Sequence, residues 1–247
     1  MSTYSTIVAI HGSIGAFALL TFWLAAFLRK GSPLHRRVGQ AYLLAMTGII
    51  LTAMPMAWYA HTAGKTVTAA FLAYLVVITA TGVWGAWRAI RDKHDVVRFT
   101  GPVYVGLGVL SLLSGLGVLA LGYRIGSPLF MGFSAVGLFA AYQTFERRLH
   151  RARLAAKPRW WLEAHYTGML GNGIATHIAF LAIGLPRLLP SISGSALNYV
   201  AWFGPVVVAV IAKAWLDRRW KPKTLSPRRA TTHQTSPSVA QPSPVPR

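Results

Sequence analysis

No cysteine occurs in the 247 residues. Its absence excludes disulfides, iron–sulfur clusters held by thiolates, thiolate-ligated haem and covalent c-type haem attachment. Acid is almost as scarce. Five Asp and Glu stand against 25 Lys and Arg, a formal net charge of +20, and only 12% of the chain is charged. A soluble domain uses about twice that share to cover its surface, so a soluble globule is not expected. Nor does the positive excess point to nucleic acid, because the basic residues stand between long apolar runs. A phosphate-binding glycine loop, G-x-S-x-G and H-E-x-x-H are all missing. There is no internal repeat, which argues against an inverted-repeat transporter.

What is present is apolar: 54% of residues are hydrophobic and the mean hydropathy is +0.46. Seven stretches are long enough to cross about 30 Å of hydrocarbon at about 1.5 Å per residue. They fall at 5–28, 38–60, 66–87, 101–122, 128–146, 161–185 and 197–216, the fifth being the shortest. The expected fold is all-α, a polytopic membrane bundle of seven transmembrane helices over 1–216. Residues 217–247, basic and rich in Pro and Ser, are expected to form a disordered tail whose start meets anionic headgroups.

All Lys and Arg except Lys65, Arg124 and Arg187 fall in alternate connections or after Lys213. The positive-inside bias puts that side in the cytoplasm. An odd number of spans then sets the N-terminus outside and the C-terminus inside. The first span has no basic segment before it, and its charges, Arg29 and Lys30, follow the apolar run, so it reads as a retained anchor. The expected location is a bacterial cytoplasmic (inner) membrane, with the bilayer as the first partner.

An ionisable group inside a span is costly and so suggests function. All five acids, Asp92, Asp95, Glu146, Glu163 and Asp217, lie at span ends or in connections, which disfavours a carboxylate-based pump. The spans hold histidine instead. Counted from the span ends, His11 lies about 9 Å deep in span 1 and His177 about 12 Å deep in span 6, a matched outer pair. His35 and His165 form a similar pair at the cytoplasmic side. In span 6, Met169 follows His165 by one turn, and Gly168, Gly171, Asn172 and Gly173 open the helix surface.

Three readings follow. Imidazoles on two helices can ligate haem b axially, one haem per leaflet, with Arg36 and Arg37 neutralising propionates and Met169 beside the inner ligand. Such a path carries electrons, with a quinone or redox protein as partner. Alternatively His11, His61 and His177 converge on zinc, copper or nickel, for binding or transport. In the third reading there is no cofactor: the small residues pack helices, each histidine bonds a neighbouring backbone, and the protein acts as a structural or partner-binding membrane component. Most of the nine Trp sit near span ends as interfacial anchors. Pro55 is expected to kink span 2, Met46 to be core, and Gly106 to Gly122 to form a close helix seam.

Three stretches then resemble a known group. They are His11-Gly12-Ser13-Ile14-Gly15; Arg29-Lys30-Gly31-Ser32-Pro33-Leu34-His35-Arg36-Arg37-Val38-Gly39-Gln40-Ala41-Tyr42; and Trp161 to Met169 running on through Ile174-Ala-Thr-His177-Ile-Ala-Phe180. Together they resemble bacterial multi-pass proteins of domain-of-unknown-function family 2306. The resemblance implies membrane location and span count, and no reaction. In such relatives threonine often stands at the position of His177, which implies that His11, His35 and His165 matter more as ligands. Likeness to cytochrome b561-type bundles is one of fold alone.

Overall fold

The computed structural model describes residues 2–191 and 194–220, apart from the side chains of Ser195 and Ala196. Residues 221–247, where most of the expected tail lies, are outside that range. The described residues are helical and contain no strand.

The helices begin where local chemistry starts them. Ser32 and Ser127 each accept a backbone N–H through the side chain, at 3.1 and 3.4 Å, and each is followed by Pro at the first helical position. That position needs no N–H and favours the fixed φ of proline. Gly101-Pro102 does the same without a side-chain cap. Gly31, Gly64 and Gly126 turn the chain at φ of 80°, 74° and 64°, in the left-handed region open to glycine.

Seven helices are long and apolar enough to cross a membrane. They are α1 (Thr3–Phe27), α2 (Pro33–Thr62), α3 (Thr66–Arg91), α5 (Pro102–Arg124), α6 (Pro128–Leu149), α8 (Trp160–Ala179) and α10 (Ser195–Trp220). Beyond α8 a π-helical turn, Phe180–Gly184, leads into the short α9 (Leu185–Leu188). The sixth apolar stretch thus runs to Leu188 and the last to Trp220, past the ends read from the sequence. Two further short helices, α4 (Val96–Phe99) and α7 (Arg151–Ala156), lie in the basic connections. Pro55 is accommodated inside a continuous α2.

The spans form two groups that share α3 and α8. In the first, α1 packs on α2, α2 on α3 and α3 on α8, with α1 closing back towards α8. This makes a four-helix ring in which α2 and α8 are diagonal. Its centre holds Ala18, Tyr42, Ala45 and Met46, flanked by Phe22 and Met169. In the second group, α5 and α6 pack on α3 while α10 packs on α8, around Tyr74, Val118, Phe133 and Ile178. The α5–α6 contact is the close seam expected of span 4. A Cβ added at Gly108 would lie 2.4 Å from Thr144, and one at Gly122 would lie 2.9 Å from Met131 N. In a bilayer, where apolar burial hardly drives helices together, such close approach supplies the packing energy.

One end of the bundle gathers the basic connections. There Phe99, Tyr104 and Trp160 form a small apolar cluster, and the Arg151 guanidinium donates to Thr100 Oγ1 at 2.6 Å and to Thr100 O at 3.0 Å. The Asp92 side chain, 1% exposed, is paired with Arg88 at 2.5 Å and Arg98 at 3.5 Å. Its burial is tolerable because two guanidiniums face it.

Candidate functional site

Three histidines in the spans use their rings alike. His35 Nδ1–H donates to Ala25 O at 3.0 Å, across the α1–α2 contact. His165 Nδ1–H donates to Ala86 O of α3, also at 3.0 Å, and His177 Nδ1–H to Gly173 O at 2.7 Å. A carbonyl only accepts, so each of these imidazoles carries its proton on Nδ1 and its lone pair on Nε2. His11 Nδ1 lies 2.8 Å from Thr52 Oγ1. The Thr52 hydroxyl is also 2.8 Å from Gly48 O, so its one hydrogen has two acceptors within reach and this contact does not fix the His11 tautomer. The three carbonyl-bonded rings thus have Nε2 as the nitrogen able to ligate a metal or haem iron, each oriented by a fixed acceptor behind the ring.

The rings do not all meet. His177 packs edge-on against Phe22 and Trp23, with ring centroids at 5.2 and 5.4 Å. Those residues are 11 and 12 positions along α1 from His11, or about 17 Å at the helical rise. The matched depth of His11 and His177 expected from span ends is therefore not found. His61 is exposed at the end of α2 with its ring near Trp58, nine residues and about 13 Å from Thr52, the partner of His11. His11, His61 and His177 do not converge. Among the described residues no group of three or more His, Cys, Asp or Glu is arranged to hold a metal ion.

His35 and His165 are different. They stand near the starts of the diagonal helices α2 and α8, at the basic end of the bundle. Each has a firm acceptor behind it and Nε2 ahead. Gly39, one turn beyond His35, has open space where a Cβ would be. Met169 lies one turn above His165, but packs into the central cluster with Tyr42 and Phe22. Arg36 and Arg37 are exposed next to His35, and Arg36 Nε donates to Gly31 O at 3.0 Å.

Above this pair, α8 carries a buried polar patch that sequence reading underweights. Asn172 is 1% exposed, and neither its Oδ1 nor its Nδ2 has a hydrogen-bond partner. The His177 Nε2 is likewise buried and unpaired. Between them Tyr42 OH and Thr176 Oγ1 are 3.2 Å apart, and Thr176 donates to Asn172 O at 2.9 Å. The available signal was an asparagine in an apolar span. A glycine-flanked Asn reads as a packing feature until the helix opposite is known to be Gly82, whose added Cβ would lie 2.8 Å from Asn172 Oδ1.

Fold and patch together define a polytopic α-helical membrane protein with imidazoles inside the bundle. Compared with family models, curated proteins and solved structures, the chain matches none.

Proposed function

We propose that this is a multi-pass protein of a bacterial cytoplasmic membrane that binds haem b at its basic end, with His35 and His165 as axial ligands, and takes part in electron transfer. The observation that carries the reading is the paired tautomers: two imidazoles at the same end of diagonal helices, each with Nδ1–H fixed on a backbone carbonyl and Nε2 left free of that bond. Facing helices of a four-helix ring are a common scaffold for such ligation. Arg36 and Arg37 supply cations for propionates, and the open side of Gly39 supplies room for a flat ligand. Haem bound there supplies one-electron chemistry, and a membrane quinone or redox protein is the partner class that suits it. The separation of His11 from His177 favours one haem over one per leaflet. It also removes the geometric ground for a zinc, copper or nickel site at His11, His61 and His177.

Visible spectra of the detergent-purified chain from haem-replete cells test the reading. Reduced bands of a six-coordinate b haem are expected. His35→Ala and His165→Ala should each abolish them, and His11→Ala, His61→Ala and His177→Ala should leave them. A colourless protein, or bands that persist in His165→Ala, would sink the assignment. Bound zinc, copper or nickel in the colourless protein would revive the metal reading. For orientation, a cytoplasm-dependent reporter fused after Arg247 should be active and one fused beside Lys65 inactive; the reverse pattern would invert the topology.

A further inference from the structure

The basic end holds a second feature that the haem reading does not use. A cavity of about 370 Å³ lies where the end of α3 meets the turn into α8, lined by Lys93, His94, Lys157, Arg159, Trp160 and Trp161 among others. No carboxylate lines it. The acids nearest in sequence are engaged elsewhere: Asp92 with Arg88 and Arg98, Glu163 with Lys157, and Asp95, exposed, as acceptor of the Arg98 backbone N–H. Among the described residues Lys93, His94 and Arg159 have no acidic partner and are exposed. Arg159 is also the one described non-glycine residue with positive φ, 56°. Trp160 is buried against Phe99, with ring centroids at 4.9 Å, so the indole wall of the cavity is fixed.

The geometry points to a binding site for a phosphate group, held by Lys93 and Arg159 with Lys157 and His94 beside them. Three facts carry it. Two cations without an acidic partner among the described residues, Lys93 and Arg159, line one concave site beside Lys157, whose ammonium is shared with Glu163. Arginine and lysine are the side chains suited to phosphate oxygens. And the site lies at the ends of two spans, flanked by tryptophan, at the level where lipid phosphates lie. The same chemistry recognises an anionic lipid headgroup or a free phosphate. The cavity is of the size that small-ligand sites have.

Full-length protein in nanodiscs separates the sources. Native mass spectrometry in phosphatidylcholine containing a minor share of phosphatidylglycerol measures retained lipid. Tryptophan emission in pure phosphatidylcholine, titrated with inorganic phosphate, measures the free anion. The variants are Lys93→Gln with Arg159→Gln and, removing equal charge from the same end, Arg218→Gln with Arg219→Gln. Lys93→Gln alone serves if the double variant does not fold. A lipid site predicts selective retention of phosphatidylglycerol that falls about tenfold in the cavity variant and little in the control. A free-phosphate site predicts a saturable emission change in phosphatidylcholine that the cavity variant loses. Equal losses in both variants, or no response to either probe, would overturn the site. Both readouts are independent of haem.

Discussion

The two halves of the bundle share α3 and α8 but handle buried polar groups in opposite ways. On the α5–α6 side, Tyr74 OH donates to Phe133 O at 2.5 Å and accepts from Gly137 N at 2.9 Å. Thr81 and Ser111 hydroxyls meet at 3.0 Å, and Thr144 donates to Ala140 O at 2.9 Å. On α8 facing α1 and α3, His177 Nε2, beside Phe22 and Trp23, and the Asn172 amide, against Gly82, are buried without a partner among the described residues. An unmet polar group in a low-dielectric interior is costly, so the first half is built for adhesion. The second half carries buried polar atoms that the described residues leave unpaired. The histidine pair lies in that second half.

The strongest way to break this comparison is to attack the shared wall. A methyl at Gly168 would lie 2.9 Å from Gly82 O and 3.1 Å from Ala86 N, both backbone atoms that cannot swing aside. Gly168→Ala should therefore cost about 2–3 kcal/mol, read as a lower thermal midpoint in detergent. An unchanged midpoint would mean that α3 and α8 are not closely packed. Next in size, Tyr74→Phe strips the adhesive half of a hydroxyl that serves two backbone groups. A loss of about 1–3 kcal/mol is expected; a neutral result would deny that this half depends on its hydrogen bonds. Smallest, and of opposite sign, is Asn172→Leu. With no protein partner to lose, it should be neutral or stabilising by about 1 kcal/mol. A marked loss of stability would show that the amide is bonded after all, to water or a ligand.

How much of this could be read beforehand depended on the length of the signal. Apolar runs of about 20 residues reveal spans without any knowledge of neighbours, and the Ser-Pro pairs at 32–33 and 127–128 mark helix starts. The helices α4 and α7, of four and six residues, are too short to carry a periodic pattern. Depths failed where they relied on span ends. Counting inward from position 185 stops three residues short of Leu188, about 5 Å; the larger part of the offset is how α8 is set against α1, with His177 at Phe22 and Trp23, which no span end records. Which acceptor stands behind each histidine was hidden for a different reason. Ala25 and Ala86 offer only carbonyls, and a carbonyl leaves no trace in residue identity.

The π turn at Phe180–Gly184 also gives α8 a joint. Before it, the helix bears His165, Asn172 and Thr176 towards α1, α2 and α3; the turn itself touches α1 and α10. A widened turn holds one residue more than regular winding needs. Removing one residue there would let the turn return to regular winding with Pro186 to Leu188 close to their present phase and leave the histidine-bearing stretch where it is. The joint can absorb a one-residue change in length, without altering what the histidine-bearing half of α8 holds.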